Sequence, residues 1–197
     1  EGVSRALPLK ELAPGDRVLI RQNHRATGLV NGDVLTLESR QASGAWLARD
    51  PGAVRVLGQL TSKKRLFHEL GEVAAQAYGL SAAVVFDGLQ ERESLGATGV
   101  GNGIALPHAR LDDIERIVGV FIRLEKPLDY ESVDRQPVDL IFGLFAPKES
   151  GVEHLKALAL VSRTMRDPGV CAKLRANTDP FKIHAILTES RAPQVAA

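Results

Sequence analysis

The residues best suited to chemistry are His108 and the glycines that lead to it. Residues 96–103 hold four glycines in eight positions, and Ile104-Ala105-Leu106-Pro107 runs straight on to His108. Glycine tolerates positive φ and close backbone approach, so a run of N–H groups can turn toward an anion. A neutral imidazole is a competent nucleophile near pH 7. Pro107 fixes its own φ and restricts the residue before it, which helps hold the ring's direction. The loop is not a Walker A loop, because no Lys-Ser/Thr pair follows the glycines. Nor is it a dinucleotide fingerprint, since it follows a predicted helix and enters a strand, the reverse of the required order. On residue types alone, a flexible turn beside an incidental histidine explains the segment equally well.

Several elements must position that histidine. Thr61-Ser62 offers an N-cap, and Leu66, Leu70, Val73, Ala74 and Ala77 follow at helical spacing up to Gly79. Ser81 caps a second predicted helix reaching about Leu95, which puts Arg92 near its end within the run Glu91-Arg92-Glu93. Ile104–Leu106 reads as a short strand ending at Pro107-His108. Ile117–Leu124 and Val138–Phe145 are nearly all apolar, as expected of strands covered on both faces. A helix begins at Glu149 or Ser150 and reaches Arg166, with Asp167-Pro168 as a stop and restart. Helices over about 169–176 and 179–189 follow. Alternating helices and buried strands make this an α/β fold.

Residues 8–58 have β character instead. Strand-like runs at Arg17–Arg21, Asp33–Glu38 and Ala45–Ala48 are separated by Pro14-Gly15-Asp16, Asn31-Gly32-Asp33 and Ser43-Gly44. The expected organisation is a small β-rich segment over 1–58, a main domain over 59–190 and a polar tail over 191–197.

In 197 residues, hydrophobic side chains make up 44% and charged ones 25%, the balance of a soluble globular protein. The formal net charge of +1 gives no whole-chain argument for nucleic acid or membrane as a partner. The single cysteine, Cys171, cannot form an intramolecular disulfide and fits a reducing cytoplasm. No CxxC or HxxxH pair suggests a metal, and no apolar run nears the roughly 20 residues that span a bilayer. The N-terminus lacks a start methionine and a signal-peptide core, and reads as a processed end.

The stretch Arg92–His108 (RESLGATGVGNGIALPH) resembles the active-site signature of the fructose/mannitol/nitrogen enzyme IIA family of the bacterial phosphotransferase system. The resemblance continues through Pro137–Pro147 (PVDLIFGLFAP) and His154–Leu160 (HLKALAL), over about residues 59–190. The wording GVGNGIA is most similar to the nitrogen-related branch; sugar-specific members are usually fused to membrane permease domains, and none is expected here. The resemblance implies a mixed β-sheet flanked by helices. It also implies that His108 accepts phosphate through Nε2 from a phosphohistidine of an HPr-like carrier protein, with regulatory proteins as targets and no metal or cofactor. Arg92 matches the family's active-site arginine, whose planar fork can hold phosphoryl oxygens. His154 matches a second histidine near the phosphorylation site. Thr98, Gly99, Gly101, Asn102 and Gly103 form the implied phosphate-binding loop, although the Thr98 hydroxyl could equally stabilise the turn. Lys156 departs from the pattern, standing where some nitrogen-branch relatives have another histidine. Without the resemblance, Arg92 reads as a solvated helix-end charge and His154 as a helix-start histidine.

His68 and His184 are expected on helix surfaces or in packing, Cys171 in the core, and Trp46 and Phe142 in packing. Pro14–Asp33 resembles a small SH3-like barrel segment of conjugative relaxases and RecD-type helicases. Arg17, Arg21, Arg25, Arg40 and Arg49, with His24, could touch single-stranded nucleic acid, which makes a nucleic-acid-binding module the alternative function. A solvated charged face is the reading favoured for them. The downstream partner and any homo-oligomer stay open.

Overall fold

The computed structural model describes residues 17–19, 34–40, 46–49, 51–112 and 114–188. The chain divides into two compact units, Glu1–Pro51 and Gly52–Ala197. In the first, β1 (Arg17–Leu19), β2 (Val34–Arg40) and β3 (Trp46–Arg49) form an antiparallel sheet in that order, with a register shift between Leu37 and Ser39. The three expected strands are present. Arg21, His24 and Arg25 lie outside the described residues.

The second unit is built on six strands ordered β4-β8-β9-β6-β5, with β7 also pairing β9. Its centre is the antiparallel pair β8 (Val118–Leu128) and β9 (Val138–Pro147). Strand β4 (Val54–Leu57) lies parallel to β8, so the division falls at Pro51 instead of residue 58: these residues complete the larger sheet. Helices α1 (Lys63–Tyr78) and α2 (Ala82–Ser94) follow, then the hairpin of β5 (Gly99–Gly101) and β6 (Ile104–Ala105).

Both β6 and β7 (His108–Leu111) run parallel to β9, Ile104 opposite Leu140 and His108 opposite Leu144. They amount to one strand interrupted at Leu106-Pro107. There the Leu106 N–H turns to the Thr98 carbonyl at 2.9 Å, while the Pro107 carbonyl accepts the Leu144 N–H at 3.0 Å. The expected strand end at Pro107-His108 is therefore a break, because pairing with β9 resumes without needing an N–H from proline.

Alternate residues of the central strands feed two cores. Val120, Ile122, Leu124, Ile141 and Phe145 join Leu66, Phe67, Leu70, Val85 and Leu89 of α1 and α2. Phe121 and Leu140 join Met165, Cys171, Leu174 and Ile183 of α3 (Gly151–Met165), α4 (Pro168–Ala176) and α5 (Pro180–Thr188). Mixed pairing with a helical layer against each core is the α/β arrangement expected. Caps fall where the residue types put them: Ser62 accepts the Arg65 N–H, Gly79 ends α1 at φ 72°, and Asp167 receives the Gly169 and Val170 N–H groups ahead of α4. Cys171 is buried, and exposed His68 stacks on Phe86 with ring centroids 4.0 Å apart.

Helices α1 and α2 cross at Gly71, where an added Cβ would stand 2.7 Å from the Ala82 carbonyl oxygen. A backbone atom cannot rotate away, so Gly71→Val should lower the urea-unfolding midpoint at unchanged m-value, a destabilisation of about 2 kcal/mol or more.

Candidate active site

The break at Leu106-Pro107 determines what His108 can do. The Leu106 carbonyl lies 2.8 Å from His108 Nδ1, and Arg92, from the last turn of α2, directs its Nε to His108 Nε2 at 3.0 Å. A carbonyl can only accept and a guanidinium can only donate, so the ring proton sits on Nδ1 and Nε2 keeps its lone pair. The ring is half-buried, and its pKa lies below the usual 6.5. Burial is the main cause; the Leu106 carbonyl pulls the other way, and the Arg92 charge adds to the lowering. The imidazole is thus neutral near pH 7.

From the opposite helical layer, the first turn of α3 brings His154, 4% exposed, with its ring centroid 5.7 Å from that of His108 and tilted by 46°. Its Nδ1 is buried and has no hydrogen-bond partner among the described residues. Burial, Arg110 and His108 all hold this ring's pKa down. The start of α3 also carries the positive end of its helix dipole, favourable to an anion. Lys156, two residues beyond and on another face of the helix, pairs with Glu153 at 2.7 Å.

Arg92, His108 and His154 thus come together. The glycine loop does not join them as expected. Asn102 and Gly103 form the hairpin tip at φ 57° and 77°, and the register along β9 sets Ile104 about 13 Å from His108. The Asn102 N–H goes to Asp134 at 2.8 Å, and its carbonyl receives Arg175, which also clasps Asp139. Gly99 serves close packing, since a Cβ there would stand 2.7 Å from the Ser132 Cβ. Gly101, at φ 95°, turns the strand into the tip. The Asn102 amide is thus taken up by Asp134 within the fold, and a phosphate-binding role for Gly99, Gly101, Asn102 and Gly103 stays an expectation.

Thr98 is buried as well. Its backbone N–H and its hydroxyl both go to Glu93 Oε2, at 3.1 and 2.6 Å, and the hydroxyl also meets the Tyr130 hydroxyl at 2.8 Å. Of its two expected roles, the structural one fits this geometry.

The sequence reading passed over Glu93, Lys63, Tyr130 and Arg110. Lys63 Nζ lies 3.0 Å from Glu93, 2.9 Å from Glu131 and 4.7 Å from the centre of the Tyr130 ring. Neighbouring Glu91, Arg92 and Glu93 look like one charged helix end in sequence, and only packing separates their faces. Arg110 had an available signal: it stands two residues after His108 on the same face of β7. Leu95, which caps α2, and Val152 and Leu155 in the first turns of α3 are exposed apolar side chains on the two helix ends that supply Arg92 and His154.

Residues 50–190 match the family described as phosphoenolpyruvate-dependent sugar phosphotransferase system, EIIA 2. The chain is 45% identical over 137 residues to a nitrogen regulatory protein of Bradyrhizobium diazoefficiens, covering 70% of this chain and 90% of that one. It is 42% identical over 130 residues to a nitrogen regulatory protein of Escherichia coli, covering 66% and 80%. The crystal structure of the nitrogen regulatory protein IIA-Ntr from Neisseria meningitidis superposes with a TM-score of 0.65 at 36% identity, over 70% of this chain and 94% of that one. The E. coli mannitol IIA structure, at 18% identity and a TM-score of 0.59, shares the fold. The family match begins at residue 50 and lends the nucleic-acid alternative no support. With this fold, family match and set of relatives, the chain belongs to the EIIA 2 family of the phosphotransferase system, as a phosphohistidine-bearing phosphoryl carrier of a regulatory branch.

Proposed function

We propose that His108 is the phosphorylated residue and that its phosphoryl group comes from a phosphohistidine of an HPr-like carrier. The observation that supports this most is the pair of hydrogen bonds on the ring, which leaves the Nε2 lone pair as the nucleophile. As the Nε2–P bond forms, the donor's N–P bond breaks and its electron pair stays with the departing imidazole. The Nδ1 proton remains on His108, shared with the Leu106 carbonyl.

Such a transfer passes through a loose transition state with charge spread over three oxygens, so alignment and compensating cations do most of the work. Arg92 must give up Nε2 as phosphorus approaches, and its freed donors can then take the phosphoryl oxygens. His154 and the start of α3 supply the opposite wall. Leu95, Val152 and Leu155 offer the carrier an apolar rim. The same rim makes the site a switch, because a new dianion beside it changes which protein surfaces can bind. A reducing cytoplasm suits the lone buried cysteine and is the proposed compartment.

Incubated with the phosphorylated carrier, the protein should take up one acid-labile phosphate that maps to His108, and His108→Ala should take up none. Uptake surviving that substitution would remove the assignment. Arg92→Lys or His154→Ala should slow transfer about 100-fold, the usual cost of losing one donor to developing charge. Arg92→Met should raise the His108 titration midpoint in NMR, because the guanidinium charge that opposes protonation is gone.

A further inference from the structure

The family assignment does not explain why the acid after Arg92 is buried with all its neighbours satisfied. Glu93 follows Arg92 in the last turn of α2, and its side chain is only 10% exposed. Oε2 accepts the Thr98 N–H and hydroxyl, with the Tyr130 hydroxyl at 3.5 Å, and Oε1 accepts the Lys63 ammonium. Backbone bonds from Leu95 N–H to the Arg92 carbonyl, and from Gly96 N–H to the Glu93 carbonyl, complete a closed turn over residues 92–98. Within that turn Gly96 stands at φ 146°, and its carbonyl accepts Arg92 Nη1 at 3.1 Å. The second anchor of the same guanidinium is His108 itself, through Nε.

We infer that Glu93 is a positioning residue for phosphoryl transfer: by fastening Thr98 to α2 it holds the Gly96 carbonyl that orients Arg92 over His108 Nε2. The inference rests on the His108 reading above and adds a residue to it. A guanidinium held at one end pivots about that point, so when the departing Nε2 contact is replaced by phosphoryl oxygens, the donors stay in place. Released from Gly96, the side chain would sample many rotamers and meet the phosphoryl group misaligned, and an error of about 1 Å costs on the order of 100-fold in rate. Lys63 keeps the Glu93 carboxylate in place from α1, so the anchoring chain runs from the start of one helix to the end of the next.

The test is a double-mutant cycle on the full chain, with transfer from the phosphorylated carrier followed by rapid quench. Glu93→Gln should lower the transfer rate constant at saturating carrier about 10- to 100-fold and leave the carrier's KM within about twofold. In an Arg92→Met background the same substitution should change the rate by less than about twofold, since there is no guanidinium left to orient. Thr98→Val, which removes one of the two Thr98 bonds, should give a smaller loss of the same kind and serves if Glu93→Gln does not fold. A wild-type rate in folded Glu93→Gln, or an undiminished loss in the Arg92→Met background, overturns the inference. Nitrogen-15 NMR of the His108 ring reads the geometry without any transfer: in Glu93→Gln the Nε2 resonance should shift toward its Arg92→Met position. An unshifted resonance refutes Glu93 alone, whereas wild-type protein that takes up no phosphate on His108 refutes the underlying reading.

Discussion

The hydrogen bond from His108 Nδ1 to the Leu106 carbonyl decides which ring nitrogen keeps a lone pair. That carbonyl is available because the strand breaks at this point. At Pro107 the ladder to β9 is carried by the proline carbonyl, which accepts Leu144, while the Leu106 N–H has turned to Thr98. An unbroken strand would place the Leu106 carbonyl in register with a neighbour and leave the imidazole either to choose its own tautomer or to protonate. The break at Leu106-Pro107 therefore does more than stiffen the backbone: the Leu106 carbonyl meets Nδ1, which leaves Nε2 as the unprotonated nitrogen.

The remaining parts of the site arrive from both helical layers. Arg92 comes from the end of α2, whose layer packs on Val120, Ile122 and Phe145, and His154 from the start of α3, whose layer packs on Phe121 and Leu140. The two layers contribute complementary helix ends. A C-terminal turn offers a place where a cation is welcome, and an N-terminal turn offers donors to an anion. His108, on the strand between them, receives Arg92 on Nε2 and faces the His154 ring at 5.7 Å between centroids. His108 is half-buried and His154 buried, each with an arginine charge that disfavours protonation, so both imidazoles favour the neutral form that the proposed attack needs.

The glycine-rich hairpin illustrates how one sequence feature can also answer to packing. Its glycines are required by close contact with Ser132 and by positive φ at the tip, and its free amide goes to Asp134. The hairpin's contribution to the site is mechanical. It sets Thr98 beside Leu106, and through Thr98 it ties the α2 end to the strand that carries the histidine.

By itself the sequence determined the α/β class, the helix starts at Ser62, Ser81 and Asp167, the buried central strands and the histidine proposed as the phosphoryl acceptor. Those follow from local rules, in which caps, period and apolar runs act within a few residues, and from the ordered resemblance over Arg92–His108 and His154–Leu160. Only the tertiary structure decided that β4 completes the larger sheet, that His108 resumes a strand after Pro107, and that Thr98 faces inward to Glu93 instead of outward to a ligand. Each depends on contacts between residues far apart in the chain, such as Val54 with Phe121, His108 with Leu144, and Glu93 with Lys63. Periodicity cannot see such pairings, because they are set by how sheet and helices pack and not by what any one segment prefers.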